Sequence, residues 1–213
     1  MIRSIHPPID LFEDIADPAD WEALASAEAK TNPRLYDEIG NLSLVPVHRR
    51  VGGPGASFLM APFVHCSPDR PGRFLDGSYG VYYAADSEET AIYEVAHHHA
   101  KFMRDTNQPA GWVSDFRCMI GSVDLDLHDL SDVAEALDPD AYGDSQNIAS
   151  ALRAGGAHGL FYPSVRFPTG HCVAIFWPDL LPVPRQGDHY KFHFDGSRVD
   201  RVRNLSKGII YKL

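Results

Sequence analysis

The chain is poor in cysteine: its 213 residues include three, Cys66, Cys118 and Cys172, and none sits in a Cys-x-x-Cys pair. An odd count without a framework excludes a disulfide scaffold and a zinc ribbon, and it points to free thiols in a reducing cytoplasm. Each of them reads as a small buried hydrophobe rather than a nucleophile. Long apolar runs are also missing. Cys172 to Trp177 is far too short to cross a bilayer. The opening Met1-Ile2-Arg3-Ser4-Ile5-His6-Pro7-Pro8 lacks the apolar core of a secretory signal, so neither export nor membrane insertion is expected. Basic charge is scarce, with 19 Lys and Arg against 29 Asp and Glu and a net charge of −10. The basic residues are scattered, which argues against a direct nucleic-acid partner. An acidic surface suits a basic partner protein and also serves solubility.

Several chemical signatures are absent. There is no Gly-x-Gly-x-x-Gly after a strand, no Walker loop, no Gly-x-Ser-x-Gly elbow and no His-Glu-x-x-His. His97, His98 and His99 are consecutive, so on a helix they point in different directions and cannot converge on one ion. No metal is expected. Gly52-Gly53-Pro54-Gly55 reads as a loop without a phosphate-cradle pattern.

The length fits one domain with a real core, and no repeat or low-complexity segment is present. Residues 1–17 read as an irregular lead-in. A helix is expected from about Pro18 to Ala29, capped by Asp17 or Asp20, and a second from Pro33 to Ile39, ended by Gly40-Asn41. The apolar stretch Ser57 to His65 reads as a strand or a short buried segment. A loop over Ser67 to Ser78 leads into a strand at Gly80 to Ala85. Asp86 then caps a helix, with Glu89 three residues on as in a capping box. Ala91, Ile92, Val95, His99 and Phe102 give that helix an apolar face, and Glu94 stands at its border, ~100° from the middle of the stripe. One or two strands are expected over Trp112 to Asp126, and a helix over Ser145 to Ala154, closed by Gly155-Gly156. Strands at Gly159 to Tyr162 and His171 to Trp177 flank a turn at Pro163 to Arg166. The tail alternates around Tyr190 to Phe194 and ends in a strand over Gly208 to Leu213. Strands dispersed among single helices, without regular βαβ alternation, indicate the α+β class.

Within this frame four residues carry chemistry. Arg73 stands in a glycine-bearing loop, and a guanidinium holds a phosphate or carboxylate through two parallel hydrogen bonds. Tyr83, ten positions later, ends a strand and offers a stacking plane and one directed hydroxyl. Glu94, eleven positions further, is a carboxylate on regular structure. Breaking an N-glycosidic bond builds positive charge on the ribose, which a fixed carboxylate stabilises. Ser164, in the turn after Pro163, has a hydroxyl suited to an amide or a ribose hydroxyl, and Arg166 is a second phosphate ligand. Each residue alone also has a plain structural reading: a surface arginine, a core tyrosine, a solvated glutamate paired with His98, and a turn serine.

Taken together and in order, these pieces resemble the RES-domain family of bacterial toxins. Gly72-Arg73-Phe74 resembles its Gly-Arg-aromatic element, although Leu75 replaces the usual polar residue that follows. Val81 to Val95 resembles its strand and helix, and Gly159 to Arg166 followed by Val173 to Phe176 resembles its serine element. The resemblance spans about residues 45–180 of a single domain, 1–213. It implies an ADP-ribosyltransferase-like fold and the consumption of NAD, with Arg73, Tyr83, Glu94 and Ser164 as the catalytic or NAD-binding set. It further implies transfer of ADP-ribose to water, phosphate or a bacterial acceptor protein, and a toxin role with an Xre-like antitoxin occluding the site. A non-catalytic module that binds a nucleotide or partner in the same cleft is the competing reading.

Overall fold

A computed structural model describes residues 1–6, 16–32 and 35–213. Pro33 and the lead-in residues 7–15 lie outside the described residues. The fold is α+β, with a larger sheet covered by a helix on its inner face and a smaller sheet packed by helices on both faces.

The larger sheet contains β1 (Ile2–Arg3), β3 (Gly111–Ile120), β7 (Arg185–Phe194), β8 (Val199–Asn204) and β9 (Ile210–Lys212) in that spatial order, antiparallel throughout. β7 shows why the sheet has an inside. Tyr190, Phe192 and Phe194 are each 1% exposed, whereas the alternate Lys191 and His193 face outward. The inner face is covered by α4 (Glu88–Asp105) through Ile92, Ala96, Ala100 and Met103.

The smaller sheet contains β2 (Tyr82–Ala85), β6 (His171–Ile175), β5 (Gly159–Pro163) and β4 (His128–Asp129), with only the β4–β5 pair parallel. One face shares a core with Phe74, Tyr79 and Ala149, the last from α5 (Gly143–Ala154), and the other packs Tyr82, Val173 and Ile175 around Leu59. A third group of apolar side chains joins α1 (Trp21–Glu28) to α3 (Ala56–Val64) through Trp21, Met60 and Phe63. α2 (Leu35–Ile39) lies between them in the chain.

The fold differs from the sequence expectations at identifiable points. Ser57 to His65 belongs to a helix, α3, not a strand. A continuous apolar run suits either, and here Gly55 at φ 81° turns the chain into a helix that tolerates Pro62 near its end. The cap of α4 is Ser87, whose hydroxyl accepts from Thr90 N at 3.1 Å, rather than Asp86. Asp86 instead accepts from the Thr90 hydroxyl at 2.9 Å and from His171 N at 2.9 Å, tying the helix start to β6. The buried stripe of α4 is rotated, so Phe102 is 42% exposed while Ala96, Ala100 and Met103 are buried. The lead-in contributes β1, and β8 lies in a stretch given no element from the sequence. The helix expected from Pro18 begins at Trp21; Asp20 precedes it without a side-chain cap, and Asp17 accepts from Ala19 N at 2.8 Å.

Candidate active site

The strongest polar contact among the candidate residues joins Glu94 to Ser164. Ser164 follows β5 and is 6% exposed. Its hydroxyl donates to Glu94 Oε1 at 2.5 Å and accepts from Arg166 N at 3.2 Å and Phe167 N at 3.0 Å. Its own N–H donates to Gly170 O at 2.8 Å, which closes the loop between β5 and β6. The loop lies hard against α4. A Cβ on Gly170 would fall 2.2 Å from Thr90 Oγ1, and Phe167 stacks on Tyr93 with centroids 4.9 Å apart. The serine hydroxyl is therefore committed to orienting Glu94 and to holding its own turn.

Arg73 and Tyr83 form a second unit. Arg73 is 9% exposed, and its Nη1 donates to Ala136 O at 3.1 Å and Asp138 O at 2.6 Å. Its guanidinium carbon lies 5.0 Å from the centroid of the Tyr142 ring, a cation–π arrangement. The loop beneath it is clamped by α5. Ser145 Oγ donates to Arg73 O at 2.6 Å, and Gln146 Nε2 donates to Gly72 O at 2.9 Å. Tyr83 is 39% exposed, yet its hydroxyl is turned inward and accepts from Phe74 N at 3.0 Å. Burial of that hydroxyl pushes the phenol well above its ordinary value, so it stays protonated. Tyr83 thus presents ring surface outward and pins the arginine loop with its oxygen.

Strand register links the two units. Tyr83 pairs with Ala174 and Ala85 with Cys172, while Leu160 and Tyr162 pair with the same two residues from the other side. With a side-chain period of two, Tyr83, Cys172, Tyr162 and Ser164 project to one face. Tyr162 and Cys172 both sense the charges of Glu94 and Arg73. Burial dominates at each: it raises the Tyr162 phenol and pushes the Cys172 thiol up to about 12, which leaves both neutral. His98, one turn after Glu94, is lowered first by burial and then by Arg166 and Arg73, with Glu94 opposing. Arg73, Glu94, Arg166 and His98 therefore share one electrostatic neighbourhood. Arg166 donates through Nη2 to Pro139 O at 2.7 Å, and its Nε is buried without a hydrogen-bond partner among the described residues.

The structure thus brings Glu94 and Ser164 into contact, joins Arg73 to Tyr83 through Phe74, and places Arg166 two residues past Ser164. Tyr162, Tyr142, Ser145 and Gln146 escaped the sequence reading. Tyr162 carried a signal, because it stands two positions before Ser164 on the same strand face. The other three act on loop backbone or on the Arg73 guanidinium and left no pattern. Elsewhere His99 turns inward to Ser114 Oγ at 2.6 Å, while the His97 and His98 rings lie edge to face at 5.3 Å between centroids. A groove lined by Glu22, Ala25 and residues 39–43 contains none of the candidate residues.

A helix-borne carboxylate held by a serine, with a loop-borne arginine in the same electrostatic neighbourhood, sits on an α+β fold of the ADP-ribosyltransferase-like class. Comparison with known proteins makes this specific: the RES domain family matches residues 46–195, and the chain belongs to that family. It is also similar to the protein named "Uncharacterized protein y4oC" of Sinorhizobium fredii (strain NBRC 101917 / NGR234), with 28% identity over 206 residues, covering 93% of this chain and 83% of that protein. No helix among the described residues is long and apolar enough to cross a membrane.

Proposed function

We propose that this chain is an NAD-consuming enzyme that breaks the nicotinamide–ribose bond and passes ADP-ribose to a protein acceptor, water or phosphate. In this reading it acts in the bacterial cytoplasm as the growth-arresting toxin of a type II toxin–antitoxin pair, and an Xre-like antitoxin occludes its site. The observation that carries the reading is the fixed Glu94 carboxylate, held at 2.5 Å by Ser164 within the same field as Arg73 and Arg166.

The two guanidiniums take the pyrophosphate. Both hydrogen bonds that Arg73 makes to the described residues come from Nη1, and the hydrogen bond of Arg166 comes from Nη2, so other donors on each guanidinium are left for an oxyanion. The exposed ring surface of Tyr83 stacks on the nicotinamide end. Glu94 orients the ribose and stabilises the oxocarbenium charge as the bond from C1′ to the pyridinium nitrogen breaks. The bonding pair goes to that nitrogen, so nicotinamide departs neutral and needs no proton. A lone pair of the acceptor then bonds to C1′, and the acceptor's proton passes to solvent. Catalysis here rests on positioning and electrostatics.

The test uses NAD labelled in the adenosine half, with and without inorganic phosphate and with cell lysate. Label on a protein band marks transfer, free ADP-ribose marks hydrolysis, and a phosphate-dependent product marks phosphorolysis. NAD binding with no nicotinamide release, and no growth defect on expression, would instead make the chain a non-catalytic nucleotide-binding module.

A further inference from the structure

Arg153, in the last turn of α5, has an arrangement that the reaction above does not use. Its guanidinium carbon lies 4.5 Å from the centroid of the Tyr79 ring and 4.0 Å from that of Trp177. The guanidinium thus lies against two rings at once. Its Nε is buried and without a hydrogen-bond partner among the described residues. The ionisable groups that act on it are Tyr79, Arg49 and Cys66, none of them a carboxylate. Arg49 lies 4.6 Å from the Trp177 ring and is already paired with Asp179 at 2.9 Å. Two cations thus border one indole; Asp179 pairs with Arg49, and Asp76 acts on Tyr79 and Cys66 beside Arg153 without an ion pair to it. A buried guanidinium donor with no acceptor is costly to the fold.

We propose that the Nη edge of Arg153, set against Tyr79 and Trp177, is a binding site for a small oxyanion, a phosphate or carboxylate group received through two parallel N–H···O bonds from the two terminal nitrogens. Stacking on rings is compatible with in-plane donation, because the faces of the guanidinium carry no donors. The clamp also fixes the side chain, so a ligand meets a donor pair that has already lost its rotamer freedom. The position has a consequence for the neighbouring loop. Tyr79 Oη donates to Phe74 O at 2.8 Å, and Phe74 N donates to Tyr83 Oη at 3.0 Å. An oxyanion on Arg153 therefore sits one aromatic residue away from the loop that carries Arg73, while sharing no residue with Glu94 and Ser164.

The experiment is an NMR titration of the whole chain with sodium phosphate or sodium acetate at constant ionic strength. It follows the Arg153 Nε–H and Trp177 indole N–H cross-peaks, assigned through R153K and W177F. The expected result is a saturable shift of both peaks. In R153K the half-saturation concentration read at Trp177 rises by about tenfold or more, as expected when one charge-assisted bond is lost. Saturation by phosphate alone identifies a phosphate-bearing ligand, and saturation by acetate alone a carboxylate. No saturable shift with either salt, an equal shift with sodium chloride, or an unchanged R153K titration would overturn the site. If R153K fails to fold, the wild-type Nε–H titration still decides. None of these readouts depends on NAD turnover, so their failure leaves the proposed reaction standing.

Discussion

The Ser164 hydroxyl lies 2.5 Å from Glu94 Oε1 and receives two backbone N–H bonds from its own turn. The loop after β5 thereby fixes a carboxylate on α4, seventy positions away in the chain. A glutamate at the border of a helix would otherwise sample several rotamers. Here one is selected, and the reading of Glu94 as the group that faces the developing charge depends on it.

Glu94→Gln keeps an oxygen that accepts the Ser164 hydrogen bond and removes the charge. The variant is expected to fold with an unchanged melting temperature and to lose NAD cleavage by roughly two orders of magnitude or more. Nicotinamide release by the purified variant, beside its thermal melt, checks both. Full turnover by folded Glu94→Gln protein would rule out the proposed role.

Ser164→Ala removes the donor to Glu94 and strands the N–H groups of Arg166 and Phe167 in a buried turn. The expected loss of stability is about 1–3 kcal/mol by chemical denaturation. On the reading that the serine works by positioning Glu94, kcat should fall by roughly one to two orders of magnitude while KM for NAD changes little. A rise in KM with kcat preserved would mean that Ser164 contacts the substrate after all.

The reach of the sequence follows from how local each signal is. Arg73, Tyr83 and Glu94 were legible because the loop, the strand and the helix that carry them are consecutive. The α+β class was legible from the dispersal of strands. The partner of Ser164 was not, since it requires β5 to pair with β6 and β6 with β2, and no local pattern encodes that order. The Arg73 clamp from Tyr142 and Ser145 was hidden for the same reason. α3 was ambiguous because an unbroken apolar run fits a helix or a strand, and the backbone at Gly55 decides between them. β8 was missed because its buried residues, Val199, Val202 and the polar Asn204, do not alternate from the start of the strand, where the register shifts beside Phe194.

Gly170 offers a steric test of the loop that carries Ser164. An alanine there would place its Cβ 2.2 Å from Thr90 Oγ1 and 2.6 Å from Thr90 Cγ2. The Thr90 hydroxyl cannot simply turn away, because it is bonded to Asp86 at 2.9 Å. Gly170→Ala is expected to cost about 1–3 kcal/mol by overpacking and to lower activity through displacement of Ser164. Thermal unfolding together with nicotinamide release measures the two effects, and a variant as stable and active as wild type would show that the loop does not bear on α4.

His99 sets a pH dependence that is independent of the reaction. It is 6% exposed, bonded at 2.6 Å to Ser114 Oγ, and enclosed by Phe116 at 5.0 Å and Phe102 at 6.0 Å between ring centroids. Burial, and then the nearby Arg3 charge, lower its pKa from the ordinary 6.5 to about 4. The unfolded chain therefore binds the proton first as pH falls. Stability is fully present above about pH 6.5, declines as pH falls below it, and has lost the whole His99 share once pH passes about 4. That share is on the order of 3 kcal/mol. His97 is lowered to about 4 as well, by burial and by Arg166, and adds to the same slope. Denaturant unfolding at a series of pH values should show the decline in wild type and a shallower one in His99→Gln, which keeps a hydrogen-bonding group toward Ser114 without titrating. A His99→Gln profile parallel to wild type between pH 6.5 and 4 would mean that the imidazole is charged in the folded core, and the enclosure by Phe102 and Phe116 would then need another explanation.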